Sequence, residues 1–297
     1  MKKYILSCLC LLWCYMAYAQ TPIVYPPLSE KTWIAPAFFG PNAFAVPEMT
    51  DGSVSRELRV DIYGTGDFGY AGDKTATIGG KLTFPLFTDR ANLVIWMPIW
   101  EWWHNSDQRM TESRLTDESA RSGGGAGDVY ISTDILVLRE KQKVPGITIR
   151  AALRTASGGN YDKARYYDSP GYFFDIGIGK TFALAEDWSI RTAISGGFLC
   201  WQTDNGRQND AVMYAARVKL NWKYMFLTAD YAGYWGWERK GDQPMVLRAK
   251  LGGDIKGFEP YLSYQWGIID FPWHTVQIGL AWKWDVLSIR SAAKSAK

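Results

Sequence analysis

The chain has little of most things that would give a soluble or enzymatic protein away. Only 21% of its 297 residues are charged and the formal net charge is +3, with no run of Lys or Arg. A nucleic-acid partner is therefore not expected, since a basic face or stripe is the footprint that phosphate backbones require. Histidine occurs twice, at His104 and His274, and cysteine four times. Three of the cysteines, Cys8, Cys10 and Cys14, fall in the first stretch of chain, which leaves Cys200 alone. A disulfide scaffold is excluded, and no ligand spacing for a metal is present. No metal and no cofactor are expected. After Gln20 no apolar run approaches the roughly 18 residues that a transmembrane helix needs.

Aromatic residues, by contrast, are plentiful: 15 Trp, 17 Tyr and 13 Phe. The chain opens on Met1-Lys2-Lys3, an apolar stretch from Tyr4 to Met16, and Ala17-Tyr18-Ala19. A basic start, a short apolar core and a small-x-small site read as a secretory signal over 1–19, removed before Gln20. Bulky Trp13 beside Cys14 argues against a lipid-modified cysteine. An exported chain this aromatic has to place its rings somewhere, and a secreted soluble β-domain is the ordinary place for them.

Beyond the signal, period-two alternation dominates the chain. Twelve strands are expected, near 57–69, 75–87, 91–104, 127–138, 146–156, 171–182, 188–201, 210–222, 224–237, 244–255, 258–269 and 274–284. Most are longer than the five or six residues usual in globular proteins. A tilted strand crossing a bilayer needs about nine to eleven. One face of these strands is apolar, as in Val60, Ile62, Ile131, Ile135, Ile176, Ile178, Val276 and Ile278. The other carries the charges, among them Arg59, Asp61, Asp67, Lys81, Asp128, Asp134, Arg150, Asp175, Arg191, Arg217, Lys219, Asp230, Arg248, Lys250, Glu259 and Lys283. A soluble sandwich turns its charged face to water, whereas a membrane barrel turns its apolar face to lipid and its polar face to the lumen. Aromatics bunch at strand ends (Trp100, Trp102, Trp103, Trp201, Trp222, Tyr224, Tyr234, Trp235, Trp237, Trp282, Trp284), as interfacial girdles do. Connections alternate short and long, an even strand count puts both termini in the periplasm, and closure removes exposed edges. The fold class expected is all-β: a closed antiparallel transmembrane β-barrel of about 12 strands in the bacterial outer membrane.

The layout expected is 1–19 signal peptide, 20–55 N-terminal arm or plug, 56–284 barrel and 285–297 periplasmic tail. Gln277-x-Gly279-x-x-Trp282-x-Trp284 resembles the closing-strand signal of bacterial outer-membrane barrels, which implies recognition by the barrel-assembly machinery. A second resemblance runs through residues 123–200. Gly125-Ala126-Gly127-Asp128-Val129, then Pro145-Gly146-Ile147, then Ser157-Gly158, then Asp175-Ile176-Gly177-Ile178-Gly179 is similar in order to the phenol-degradation meta-pathway barrels, relatives in architecture of the long-chain fatty-acid transporters. Arg154-Thr155-Ala156-Ser157-Gly158 lacks that family's usual Pro before the Ser/Thr-Gly pair. The resemblance implies a barrel of twelve to fourteen strands that takes up small, often hydrophobic molecules.

Function is expected in the lumen. Residues 32–47 are apolar, yet Pro36, Gly40, Pro41 and Pro47 bar a long strand or helix. Trp33, Phe38, Phe39 and Phe44 would be a sticky patch in water, so the segment is expected either inside the barrel as a plug or as an arm on its mouth. The third strand is apolar on both faces, with Leu93, Ile95, Met97 and Ile99 alternating with Val94, Trp96 and Trp100, and its inward face needs a dry partner. Arg150, Arg154, Asp128 and Asp175 are the candidate solute contacts, and the near balance of luminal charge predicts little ionic selectivity. Partners expected are outer-membrane lipid, the assembly machinery and a small solute, with the barrel monomeric. Two alternatives stand beside this one. A lipid hydrolase could use His104 with Ser106, and a structural barrel could engage periplasmic factors through 285–297.

Overall fold

The structure, a computed structural model, describes residues 35–86, 89–202 and 208–285. The signal 1–19, Trp33 and nearly all of the tail, 286–297, lie outside the described residues. One antiparallel sheet holds β1 (Leu58–Gly69), β2 (Lys74–Pro85), β3 (Ala91–His104), β4 (Ser122–Gly125), β5 (Tyr130–Leu138), β6 (Gly146–Arg154), β7 (Gly171–Ala185), β8 (Trp188–Gln202), β9 (Gln208–Trp222), β10 (Met225–Gly236), β11 (Met245–Gly253), β12 (Phe258–Ile269) and β13 (Trp273–Trp284). β13 pairs with β1 along its whole length, from Leu58 opposite Trp284 to Gly69 opposite Trp273, and so closes the cylinder. β4 and β5 share one place beside β3, which makes twelve positions in the wall.

The wall is inside out relative to a soluble protein. Ile278 is 67% exposed and Ile194 64%, whereas the inward Asp61, Asp67, Asp134 and Asp175 are buried. So large an exposed apolar surface is stable only against hydrocarbon. Among the described residues no helix is long and apolar enough to cross a membrane, so the strands do the crossing. The bilayer that such a barrel fits is the bacterial outer membrane. Long connections, 105–121 and 155–170, gather at one end, and two-residue turns join β7 to β8 and β9 to β10 at the other. By that asymmetry the first end faces outward, and both β1 and β13 have their free ends at the periplasmic side.

Exposed rings mark two belts. Trp100, Trp102, Trp235 and Trp237 lie at the outer end, and Trp188, Trp222, Tyr224 and Trp284 at the inner one, with Trp188 stacked on Trp222 at 5.2 Å. Three ring residues expected in the girdles are instead luminal: Trp103, Trp201 and Tyr234 are buried. The alternation along β3 also breaks. The register against β2 shifts between Ile78 and Gly79, leaving Ile99 as the extra residue of a bulge beside Pro98. The bulge sends Trp100 outward, into the girdle, and turns Glu101 and Trp103 in. β5 starts later than expected, at Tyr130, because the main chain at 126–129 leaves the ladder. There Val129 N donates to the hydroxyls of Thr155 and Ser157, and Asp128 accepts from Gly158 N.

Two luminal tyrosines lie flat across glycines of the neighbouring strand. A Cβ at Gly279 would come 2.2 Å from the Tyr261 ring, and one at Gly79 would come 2.3 Å from Tyr63. Gln277 then donates to the Tyr261 hydroxyl at 3.3 Å. Replacing Gly279 by valine should therefore cost about 1–3 kcal/mol, the usual penalty of overpacking. Gly196→Ala, where a Cβ meets nothing within 4 Å, should stay within about 0.5 kcal/mol. The measurement is the fraction of heat-modifiable folded band across a urea series. Equal midpoints for the two variants would contradict the packing.

The occupied lumen as candidate functional site

Between Ala35 and Gly52 the chain runs down the inside of the barrel, from the outer loops to the periplasmic rim. Pro36, Pro41 and Pro47 remove three N–H groups, so the segment offers more carbonyl oxygens than donors. Luminal arginines supply the missing donors. Arg109, on a short helix in the outer loop (Asp107–Glu112), donates to Ala37 O and, at 2.8 Å, to Phe39 O. Arg154 reaches Ala43 O at 2.5 Å, Arg248 reaches Val46 O at 2.5 Å and Arg150 reaches Glu48 O at 2.6 Å. Arg191 closes the series on Asp51 O at 2.7 Å.

The wall is shaped for this strand of chain. Thr50 donates through N and Oγ1 to Asp175 at 2.8 and 2.5 Å, and Ser195 donates to Thr50 O at 2.5 Å. A Cβ at Gly177 would lie 2.3 Å from Thr50 O, one at Gly179 2.0 Å from Asp51 O, and one at Gly146 2.2 Å from Gly52 O. The glycines of Asp175-Ile176-Gly177-Ile178-Gly179 thus have a physical purpose here: they let main chain touch main chain. Gly52 itself has φ +79, a left-handed conformation suited to glycine.

Toward the outer end the apolar half of the segment meets an aromatic core. Phe39 and Phe44 are buried and lie 5.2 Å apart edge to face, with Tyr167 at 5.6 Å from the first and Trp201 at 6.0 Å from the second. Phe38 packs against the same core, half-buried. The dry partner that β3 needs is this core, since Trp96 stacks on Tyr130 at 5.0 Å and meets Phe173 at 6.4 Å.

All four expected solute contacts serve the segment or its anchors. Arg154 and Asp128 are closed to solvent, 3.7 Å apart. Arg154 also stacks over Trp201 at 4.6 Å and Phe44 at 5.4 Å. Asp175 holds Thr50. Only Arg150, paired with Asp134 at 2.6 Å, borders open space.

Two outer-loop residues escape sequence reasoning altogether. Arg165 is buried, donates to Glu101 at 2.8 Å and to Thr75 at 2.8 Å, and faces Asp73 at 3.6 Å. Glu101 also accepts from Tyr166 at 2.8 Å and from Asn42 of the segment at 2.9 Å. Burial opposes the Arg165 charge, but Glu101 and Asp73 outweigh it and hold its pKa above the ordinary value. Burial lowers that of Arg109, with Asp73 opposing, and burial beside Glu101 keeps the Tyr166 phenol well above its usual range. Nothing in the sequence around Arg109 or Arg165 separates them from solvated loop charges.

Beside the segment a cavity of about 470 Å³ stays open, walled mostly by β1 and by β9 to β13, with Lys81, Trp96, Tyr130, Arg150 and Phe173 also on its lining. Tyr63, Phe226, Tyr261 and Phe271 give it apolar surface, and Lys219 and Lys250 give it charge. The hydrolase alternative loses its nucleophile: Ser106 caps the loop helix, accepting from Arg109 N at 3.1 Å and donating to Ala71 O. His104 instead bonds Ser122 at 2.7 Å, and His274 bonds Tyr264 at 2.6 Å, both at the outer rim.

No protein-family model matches the chain, and no curated protein matches it in sequence. Solved structures do resemble it. An outer-membrane channel from Pseudomonas putida F1 is 12% identical with TM-score 0.53, covering 80% of this chain and 97% of that one. The NanC porin is 11% identical with TM-score 0.47, over 76% and 100% of the two chains. The KdgM porin, in complex with disordered oligogalacturonate, is 10% identical with TM-score 0.46, over 75% and 98%. At such identities the likeness to the channel is one of fold.

Arg154→Ala would strand a buried carboxylate and free a segment carbonyl. A loss of about 3–5 kcal/mol is expected, as for breaking one side of a buried pair. Adding Asp128→Asn should recover part of it. Urea midpoints of the folded barrel in lipid check this, and a double variant no better than the single one would rule out the pairing.

Proposed function

We propose that this protein is an outer-membrane conduit that binds or passes small hydrophobic or amphiphilic solutes, with residues 35–52 as a plug in its lumen. The carrying observation is the cavity between that segment and the β9 to β13 wall, where aromatic rings and ionised side chains line one space. Pockets of several hundred Å³ that mix apolar walls with a few polar groups are the usual form of small-molecule sites. A barrel of this size falls between side-chain-filled eight-strand barrels and open sixteen-strand porins, so a narrow or plugged path suits it.

On this reading the mature chain starts after the 1–19 signal and 285–297 is a periplasmic tail. Gln277, Gly279, Trp282 and Trp284 serve the assembly machinery, and the barrel works as a monomer among outer-membrane lipids. The resemblance of the Gly-rich motifs in 123–200 to the phenol-degradation meta-pathway barrels agrees with uptake of apolar molecules. No enzymatic step is assigned, since Ser106 is engaged as a cap.

The test is conductance in planar bilayers. The complete chain is expected to stay closed or nearly so. Deletion of 21–50 leaves every wall ladder intact but removes the acceptors of Arg109, Arg154, Arg248 and Arg150, so conductance steps several-fold larger are expected. A deletion variant as closed as the parent sinks the plug.

A further inference from the structure

Luminal charges are nearly balanced overall, but they are not balanced everywhere. Arg59 meets Asp61 at 2.7 Å and Glu259 at 2.9 Å, Arg248 meets Asp230 at 3.1 Å, and Lys283 meets Glu259 at 3.2 Å. Arg217, Lys219 and Lys250 line the same cavity. Among the described residues none of the three has a carboxylate oxygen within 4.0 Å. The register places Lys219, Thr228, Lys250 and Ser263 side by side across β9 to β12, with Arg217 two residues from Lys219 on the same inward face. What the two ammonium groups touch is aromatic: Lys219 Nζ lies 4.5 Å from the Phe226 ring centre and Lys250 Nζ 3.6 Å from that of Tyr261. A ring face steadies an ammonium without using up its hydrogens.

Carboxylates act on this group only from a distance, Glu259 and Asp51 on Lys219, and Glu48, Asp61 and Glu259 on Lys250. Glu48 belongs to the luminal segment, where Arg150 holds its main-chain oxygen at 2.6 Å, but its side chain is 62% exposed. Its nearest cation is Lys81 at 3.4 Å, and Arg217, Lys250 and Arg248 all act on it through space. The main chain is therefore fixed while the carboxylate reaches loosely into a field of positive charge.

We propose that this cavity binds small organic anions, with Arg217, Lys219 and Lys250 receiving the anionic head and the Phe226 and Tyr261 rings the apolar body. Glu48 is the resident carboxylate that such an anion displaces. This deepens the reading of the lumen as a solute path and rests on it. Lysine suits the task, since a compact ammonium on a flexible stem accepts an anion from many directions. The low-dielectric walls of a narrow lumen focus the field on whatever enters.

The experiment is titration calorimetry on the complete folded chain in detergent, with butanesulfonate as probe and butyltrimethylammonium as its cationic counterpart. The parent chain is expected to bind the sulfonate weakly and the ammonium not at all. Glu48→Gln should bind the sulfonate about tenfold tighter, the effect of removing one competing charge at close range. Adding Lys219→Met and Lys250→Met, which keep aliphatic stems on the two rings, should abolish the gain. Heat-modifiable migration confirms that each variant is folded. Binding of the ammonium as well as the sulfonate, or an unchanged affinity in Glu48→Gln, would overturn the anion site. Reversal potentials in a KCl gradient, measured on the 21–50 deletion with and without Lys219→Met and Lys250→Met, separate this from the conduit itself. Conductance with the same reversal potential in every variant removes the anion site and keeps the conduit. Sulfonate binding without conductance, even after deletion of 21–50, does the opposite.

Discussion

Arg109, Arg154, Arg248, Arg150 and Arg191 direct guanidinium N–H groups at main-chain carbonyls of one proline-broken segment, and the interior of the barrel is organised by that contact. An irregular chain at membrane depth survives only where protein or a water-filled cavity satisfies its polar backbone. Proline removes donors and leaves acceptors, and a sheet wall facing inward has no spare N–H to offer. Arginine solves the mismatch because its planar fork carries five donors and no acceptor. Each guanidinium must then be neutralised nearby, which accounts for Asp134 beside Arg150, Asp230 beside Arg248 and Asp128 beside Arg154. The inward ionic face thus has two jobs at once, pairing within the wall and gripping what lies inside it.

The same constraint explains the glycines of β6 and β7. Arginines can hold a segment at arm's length, but at the inner rim the segment lies on the wall itself, against Gly146, Gly177 and Gly179. Side chains there would push Thr50 and Asp51 away and break the bonds to Asp175 and Ser195. The seat is therefore graded, with aromatic packing around Phe39 and Phe44 at the outer end, charged contacts midway and bare backbone contact at the inner end.

The wall was largely legible in the sequence because its physics is local. Lipid on one side and lumen on the other impose period two, and residues such as Ile62, Ile176 and Ile278 alternate with Asp61, Asp175 and Gln277 without ambiguity. Sequence and structure part where something nonlocal shifts the phase. The bulge at Ile99 reverses the end of β3 and turns Trp103, a girdle residue by its spacing, into the lumen. Asp128 and Val129 take their partners from the 155–158 loop instead of the ladder. Trp201 and Tyr234 have the spacing of girdle residues, yet face inward because the core around Phe44 sits at the same height. Arg109 and Arg165 were illegible, since a loop arginine reads as solvated until the fold lays a loop over the mouth. The apolar segment could be recognised as needing cover, but the set of arginines that receives it is spread from β6 to β11 and the outer loop.

The division of labour between the two basic residue types has the same origin. Each of the five cations that hold the segment's main chain is an arginine, fixed by a carboxylate, a ring or a second carbonyl. The cations that face open volume include both lysines of the row, Lys219 and Lys250, which rest on rings and lack carboxylate partners among the described residues. A bidentate, always-charged group suits a permanent partner of defined geometry, and a compact rotating ammonium suits one that comes and goes. If segment and solute competed for the same side chains, holding the first would exclude the second. Placing them on different residues of one inward face lets a barrel this narrow stay filled and still present a charged, ring-lined cavity, with Glu48 as the point where the two functions meet.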